Sequence, residues 1–152
     1  MPASKDLTIG DIAPLFVLPD QEGRKIALAD FKEKKNVVLI FYPGDMTPGC
    51  TMQLCSVRDV WSKFAKRDAI VFGVNHAGAE SHQAFVEKYR FPFQLLIDPG
   101  KKVSAAYGAI RSLFKVKVIR RTVVVIDKEG RIAYFRRGMP KDADILKAIP
   151  KG

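Results

Sequence analysis

The chain has 152 residues, 47% of them apolar and 28% charged, and its 26 Lys and Arg against 16 Asp and Glu leave a net charge of +10. These are the proportions of one globular domain over residues 1–152, with no run near the roughly 20 apolar residues of a membrane span and, at two cysteines, too few for a disulfide-rich secreted scaffold. Asp6, Asp11 and three prolines interrupt the start of the chain where a secretory signal needs an apolar run, so a cytoplasmic location is expected.

In chain order, residues 15–18 form an apolar patch, a turn follows at 21–24, and an alternating segment ends near Leu28, which together predict a small N-terminal hairpin. Residues 37–42 (VVLIFY) are the continuous β-branched and aromatic run of a strand buried on both faces, closed by Pro43 and Gly44. Thr47 and Pro48 suit the N-cap and first position of a helix, which is predicted to run towards Lys66. Residues 69–75 (AIVFGVN) predict a second buried strand. Ala84, Phe85 and Tyr89 give one apolar face to a helix over 80–89, and Pro92 marks its end. Residues 95–97 read as a third short strand and 98–108 as a turn plus a short helix. A hairpin turning at 128–130 comes next, and a helix over 142–149 closes the chain.

This order predicts an α/β fold in three layers: a central mixed sheet flanked on both faces by helices, with the small N-terminal hairpin attached. It fits the thioredoxin-like arrangement. Open α/β sheets meet their ligands at the carboxyl ends of the strands, which directs attention to residues 43–50. The positive charge is concentrated elsewhere: residues 101–137 hold eleven basic residues and only two acids, Asp127 and Glu129. Because they alternate with Val and Ile in strand-like order, a solvated face is expected rather than a nucleic-acid site.

With Thr47 as N-cap, Cys50 falls at N3, in the first helical turn, where free backbone N–H groups and the helix dipole favour an anion. A thiolate is such an anion, and a cysteine in this setting is a nucleophile. Cys55 is the second cysteine. A structural zinc site would have to combine this C-x4-C spacing with His76 and His82, neither spacing being usual. A hydrolytic cysteine–histidine pairing has the same two histidines to draw on. Both are expected near the loop after the second strand without a catalytic role. Trp61 and Phe64 read as core or pocket wall, and Met46 and Met52 as packing or as an apolar mouth.

The run FYPGDMTPGCTMQLC, with Pro43, Thr47 and Cys50 in P-x3-T-x2-C spacing, resembles the active-site signature of peroxiredoxins. Its extension to Cys55 is similar to the subfamily called PrxQ or bacterioferritin comigratory protein. The likeness continues through GDIAPLFVLPDQEGRKIALADF, AESHQAFVEKYRFPFQLLIDPGKKVSAAYG and RTVVVIDKEGRI. It implies a thiol peroxidase in which Cys50 is peroxidatic, Cys55 is resolving, Thr47 hydrogen-bonds the peroxide or thiolate, and Pro43 shields the pocket. Counting back six residues from Asp127, it implies Arg121 as the catalytic arginine, with Arg120 the neighbour to exclude.

The same resemblance implies a peroxide substrate, a thioredoxin or glutaredoxin-like reductant, a monomer, and no metal, haem or flavin cofactor. A redox-sensing switch built on the same disulfide is the competing expectation. A general disulfide oxidoreductase is disfavoured, because Thr47 stands where the first cysteine of C-x-x-C would be. On an ideal helix, α-carbons five residues apart are separated by about 8.6 Å, beyond the roughly 7 Å a disulfide tolerates. Residues 47–58 are therefore expected to unwind when Cys50 and Cys55 join.

Overall fold

The structure is a computed structural model, described here over residues 7–151. Its centre is a five-stranded sheet of mixed direction. Strand β3 (Asn36–Phe41) runs parallel to β4 (Ala69–Asn75), which runs parallel to β5 (Gln94–Ile97). On its other side β3 pairs antiparallel with β8 (Thr122–Ile126), and β8 with β9 (Ile132–Arg137). Every residue of β3 is buried, as the unbroken apolar run requires of a central strand.

The period-2 alternation of β3 divides the core in two. Val38, Ile40 and Tyr42 join the buried residues of helices α1 (Pro48–Asp59), α2 (Trp61–Lys66), α3 (Ala79–Tyr89) and α5 (Asp142–Ala148). Val37, Leu39 and Phe41 pack on the opposite side, beneath residues 13–18, Leu28, Tyr107 and Ile119. Helix α4 (Lys102–Ala106) reaches this second cluster through Val103. The two flanking layers are therefore unequal, four helices facing a thinner cover.

The N-terminal hairpin is present as β1 (Val17–Pro19) and β2 (Lys25–Ala27), in the register Val17 opposite Ala27. Asp20 builds its turn by accepting the backbone N–H groups of Glu22 and Arg24, each at 2.9 Å. Two features depart from the sequence expectations. The helix predicted to reach Lys66 breaks at Val60 (φ −115°, ψ 23°) into α1 and α2. Residues 110–119, read only as a basic strand-like stretch, form a second hairpin, β6 (Ile110–Leu113) with β7 (Val116–Ile119). Its two turn residues, Phe114 and Lys115, both have positive φ (50° and 69°), the conformation of a two-residue hairpin turn usually marked by Asn or Gly.

Candidate active site

Strand β3 ends at Phe41 and the chain turns through residues 42–47 into α1, at the carboxyl edge of the sheet. Thr47 is extended (φ −73°, ψ 147°), with Pro48 as the first helical residue, so Cys50 lies at N3 as the sequence predicts. The Thr47 hydroxyl does not cap the helix. It donates back to the Gly44 carbonyl at 3.0 Å, which leaves its oxygen open to accept. The first helical bond, from the Thr51 N–H to the Thr47 carbonyl, is 2.9 Å.

Cys50 is a free, fully buried cysteine, and Cys55 is free and half-buried against the same core cluster. Both lie on the single helix α1. Pro43 and Thr47, above them, are exposed.

Arg121 enters from the junction before β8. A Cβ placed on Gly49 would sit 2.5 Å from its Nη2, so the guanidinium lies directly against the backbone beside Cys50. Its Nη1 donates to Gln53 Oε1 at 3.3 Å, one helical turn beyond the thiol. Arg120 is exposed, and its backbone N–H closes onto the Ala109 carbonyl at 2.7 Å. Of the two candidate arginines, Arg121 is the one brought onto α1. A hollow of about 560 Å³ beside it is lined by Pro43, Val118 and four arginines, Arg111, Arg120, Arg121 and Arg137.

Beneath the loop lies a buried polar cluster that the sequence did not announce. Asp45, its side chain 4% exposed, accepts from the Tyr42 hydroxyl at 2.6 Å and from the Ser81 hydroxyl at 2.6 Å, and meets His82 Nδ1 at 2.6 Å. The other ring nitrogen, Nε2, faces the Leu96 carbonyl at 3.1 Å. Burial acts to raise the Asp45 carboxyl, but the hydrogen bonds from His82, Ser81 and Tyr42 outweigh it and hold the group below the usual carboxylate range. Burial, then the Asp45 charge and finally Cys50 push the Tyr42 hydroxyl well above its ordinary value.

His82 lies just past the loop after β4, in the first part of α3 as the helix expected over 80–89 places it, and it is fully buried. His76 is exposed. Phe64 is core and Trp61 packs half-buried against Phe93, with ring centroids 5.8 Å apart. Met46 and Met52 are 40% and 63% exposed, at odds with a packing role. Gln53, Gly49 and Asp45 are the site neighbours that sequence reasoning missed. Only Gly49 carried a signal, as a residue without a side chain next to the thiol.

A free, buried cysteine in the first turn of a helix leaving the central strand of a thioredoxin-like sheet, with a guanidinium beside it, points to a class: enzymes that work through a thiol. Comparison with known proteins narrows it. Residues 9–135 match the AhpC/TSA family. The chain is 44% identical over 147 residues to the putative peroxiredoxin bcp of Coxiella burnetii, covering 94% of this chain and 97% of that one. It is 48% identical over 137 residues to the chloroplastic peroxiredoxin Q of Sedum lineare, covering 89% and 73%. The crystal structure of peroxidoxin BcpB from Mycobacterium tuberculosis superposes with a TM-score of 0.85 at 34% identity over 94% of each chain.

The chain belongs to the AhpC/TSA family, among the peroxiredoxins of the PrxQ and bacterioferritin comigratory type. It is accordingly a thiol peroxidase, whose substrate is a peroxide and whose electrons come from a thiol reductant. Among the described residues no helix is long and apolar enough to cross a membrane.

Proposed function

We propose that the protein reduces hydrogen peroxide and organic hydroperoxides through Cys50, resolves the product through Cys55, and is recycled by thioredoxin or a glutaredoxin-like dithiol protein. The Cys50 thiolate attacks the distal peroxide oxygen. The O–O bond breaks, an S–O bond forms, and the alkoxide or hydroxide leaves with a proton taken up from the site. The Thr47 oxygen, the first-turn amides and the Arg121 guanidinium hold the peroxide and the departing oxyanion, and Pro43 shields the pocket. The Cys55 thiol then displaces water from the Cys50 sulfenic acid, giving the disulfide. The reductant's two thiols restore both cysteines and leave as its own disulfide.

The observation that carries this reading is the setting of Cys50: a buried thiol at N3, with Arg121 pressed on the backbone beside it and Cys55 five residues on in the same helix. Peroxide consumption under limiting thioredoxin, thioredoxin reductase and NADPH tests it in the wild type and in Cys50→Ser and Cys55→Ser. Cys50→Ser should be inactive. Cys55→Ser should consume one equivalent of peroxide and then stop. A wild type that reacts once and never turns over would overturn the peroxidase cycle in favour of a stoichiometric redox switch.

A further inference from the structure

The loop between β3 and α1 is held by a carboxylate. Asp45 is followed by Met46, whose φ of +64° lies in the left-handed region, a conformation that costs a non-glycine residue on the order of 1 kcal/mol. Met46 is exposed and gains no burial from this shape. Something else must hold it, and the contacts of Asp45 do. Its two oxygens take three partners from two elements: the Tyr42 hydroxyl at the end of β3, and Ser81 and His82 in α3. The Leu96 carbonyl can only accept, so His82 Nε2 carries a proton, and one more proton lies between Nδ1 and the carboxyl. His82 thereby fastens the loop to α3 and β5 at once.

The helix beyond the loop is anchored unevenly. Towards its end, Arg58 donates to the Tyr89 carbonyl at 2.7 Å and Ser56 donates to Asp142. At its start, the Thr47 hydroxyl bonds only within the loop, to Gly44. Arg121 lies against Gly49 and bonds Gln53 on the far side of the first turn, while the side-chain tie from the loop itself to α3 runs through Asp45. Breaking it releases the Met46 strain and loosens the loop that leads into the turn carrying Cys50.

We propose that Asp45 is a positioning residue: it holds the 43–47 loop and the first turn of α1 in the arrangement that buries Cys50, and so sets the balance between the peroxide-reactive form and the opened form in which Cys50 reaches Cys55. The proposal rests on the Cys50–Cys55 disulfide reading above. A positioning role has a signature that a loss of fold lacks, because weakening the tie slows the step that needs the closed form and speeds the step that needs the open one.

The experiment is stopped-flow mixing of the reduced protein with hydrogen peroxide, read by the emission of the single tryptophan, Trp61, in the wild type, Asp45→Ala, Ser81→Ala and Cys55→Ser. In Asp45→Ala the peroxide-independent, disulfide-forming phase should quicken about tenfold, the effect of one hydrogen bond to a charged group, and the peroxide-dependent phase should slow by a smaller factor, because the closed form predominates before the change. Ser81→Ala removes one of the three donors without emptying a buried site. It should show the same opposed changes, smaller in size, and it answers the question if Asp45→Ala does not fold. The melting temperature of Asp45→Ala should fall in the reduced form and stay near wild type in the disulfide form.

Two phases that slow together, or an equal fall in melting temperature in both redox states, would overturn the proposal and leave the disulfide reading intact. A peroxide-independent phase that persists in Cys55→Ser would overturn both.

Discussion

Arg121 reaches α1 because residue 49 has no side chain: a Cβ there would lie 2.5 Å from Nη2. Nothing in the backbone of Gly49 demands glycine, since it is not among the positive-φ residues. Gly49→Ala should therefore fold with an undiminished melting temperature, alanine being the better helix former, while pushing the guanidinium aside. Its second-order rate constant with peroxide should drop towards that of Arg121→Ala, for which a loss on the order of 10²-fold is expected from removal of an oxyanion-stabilising donor. Arg121→Lys should not restore it, because an ammonium cannot supply the planar fork that spans Gly49 and Gln53. Arg120→Ala, by contrast, should leave the peroxide step within about twofold. Stopped-flow rates of these four variants would show whether one arginine or both serve the thiol.

At the scale of elements, α1 is the part that the proposed disulfide would require to move. Cys50 and Cys55 sit on one unbroken helix, where five residues span about 8.6 Å between α-carbons, so residues 47–58 should lose hydrogen-exchange protection on oxidation to the disulfide. Equal protection in both redox states would rule this out. The strand behind the loop is fitted as closely. A Cβ on Gly73 in β4 would come within 2.6 Å of Leu95 and 3.1 Å of the Tyr42 ring. Gly73→Ala should cost about 1–3 kcal/mol in urea unfolding, as overpacking does, and it should disturb Tyr42 and with it Asp45. The main strands and helices were legible in the chain, but the break at Val60 was not. No Pro or Gly marks it, and the last turns pack well on either side, with Val57 and Phe64 both buried.

Taken whole, the molecule brings part of its excess positive charge next to the site. Arg111, Arg120, Arg121 and Arg137 line one hollow with Pro43, a surface complementary to an acidic reductant. The rate of disulfide reduction by such a protein should fall as salt rises from 0.05 to about 0.5 M, while reaction with neutral hydrogen peroxide stays flat. A salt-independent reductant step would end the steering idea.

The loss of stability in acid has a separate source. Hydrogen bonds from Lys128 and Lys35 hold Asp68 down at about 2, below the usual value of about 3.9. A depressed carboxylate favours the fold above its unfolded pKa and loses that contribution as pH falls through the folded one. The melting-temperature difference between wild type and Asp68→Asn should therefore be present at pH 6, shrink below about pH 4 and vanish near pH 2.

The chain by itself determined what local chemistry can encode. The apolar run of β3 fixed a strand buried on both faces, Thr47-Pro48 fixed the helix start, and the distance from there fixed Cys50 at N3. Each of these depends on neighbours a few residues apart. Tertiary structure decided the rest. Asp45 and His82 are 37 residues apart in sequence, and Arg121 and Gln53 are 68 apart. No periodicity links such pairs; only the stacking of β3, β4, β5 and β8 brings their ends to one edge of the sheet. The β6–β7 hairpin was hidden because its turn residues are Phe114 and Lys115 instead of the glycine or asparagine that normally announces one.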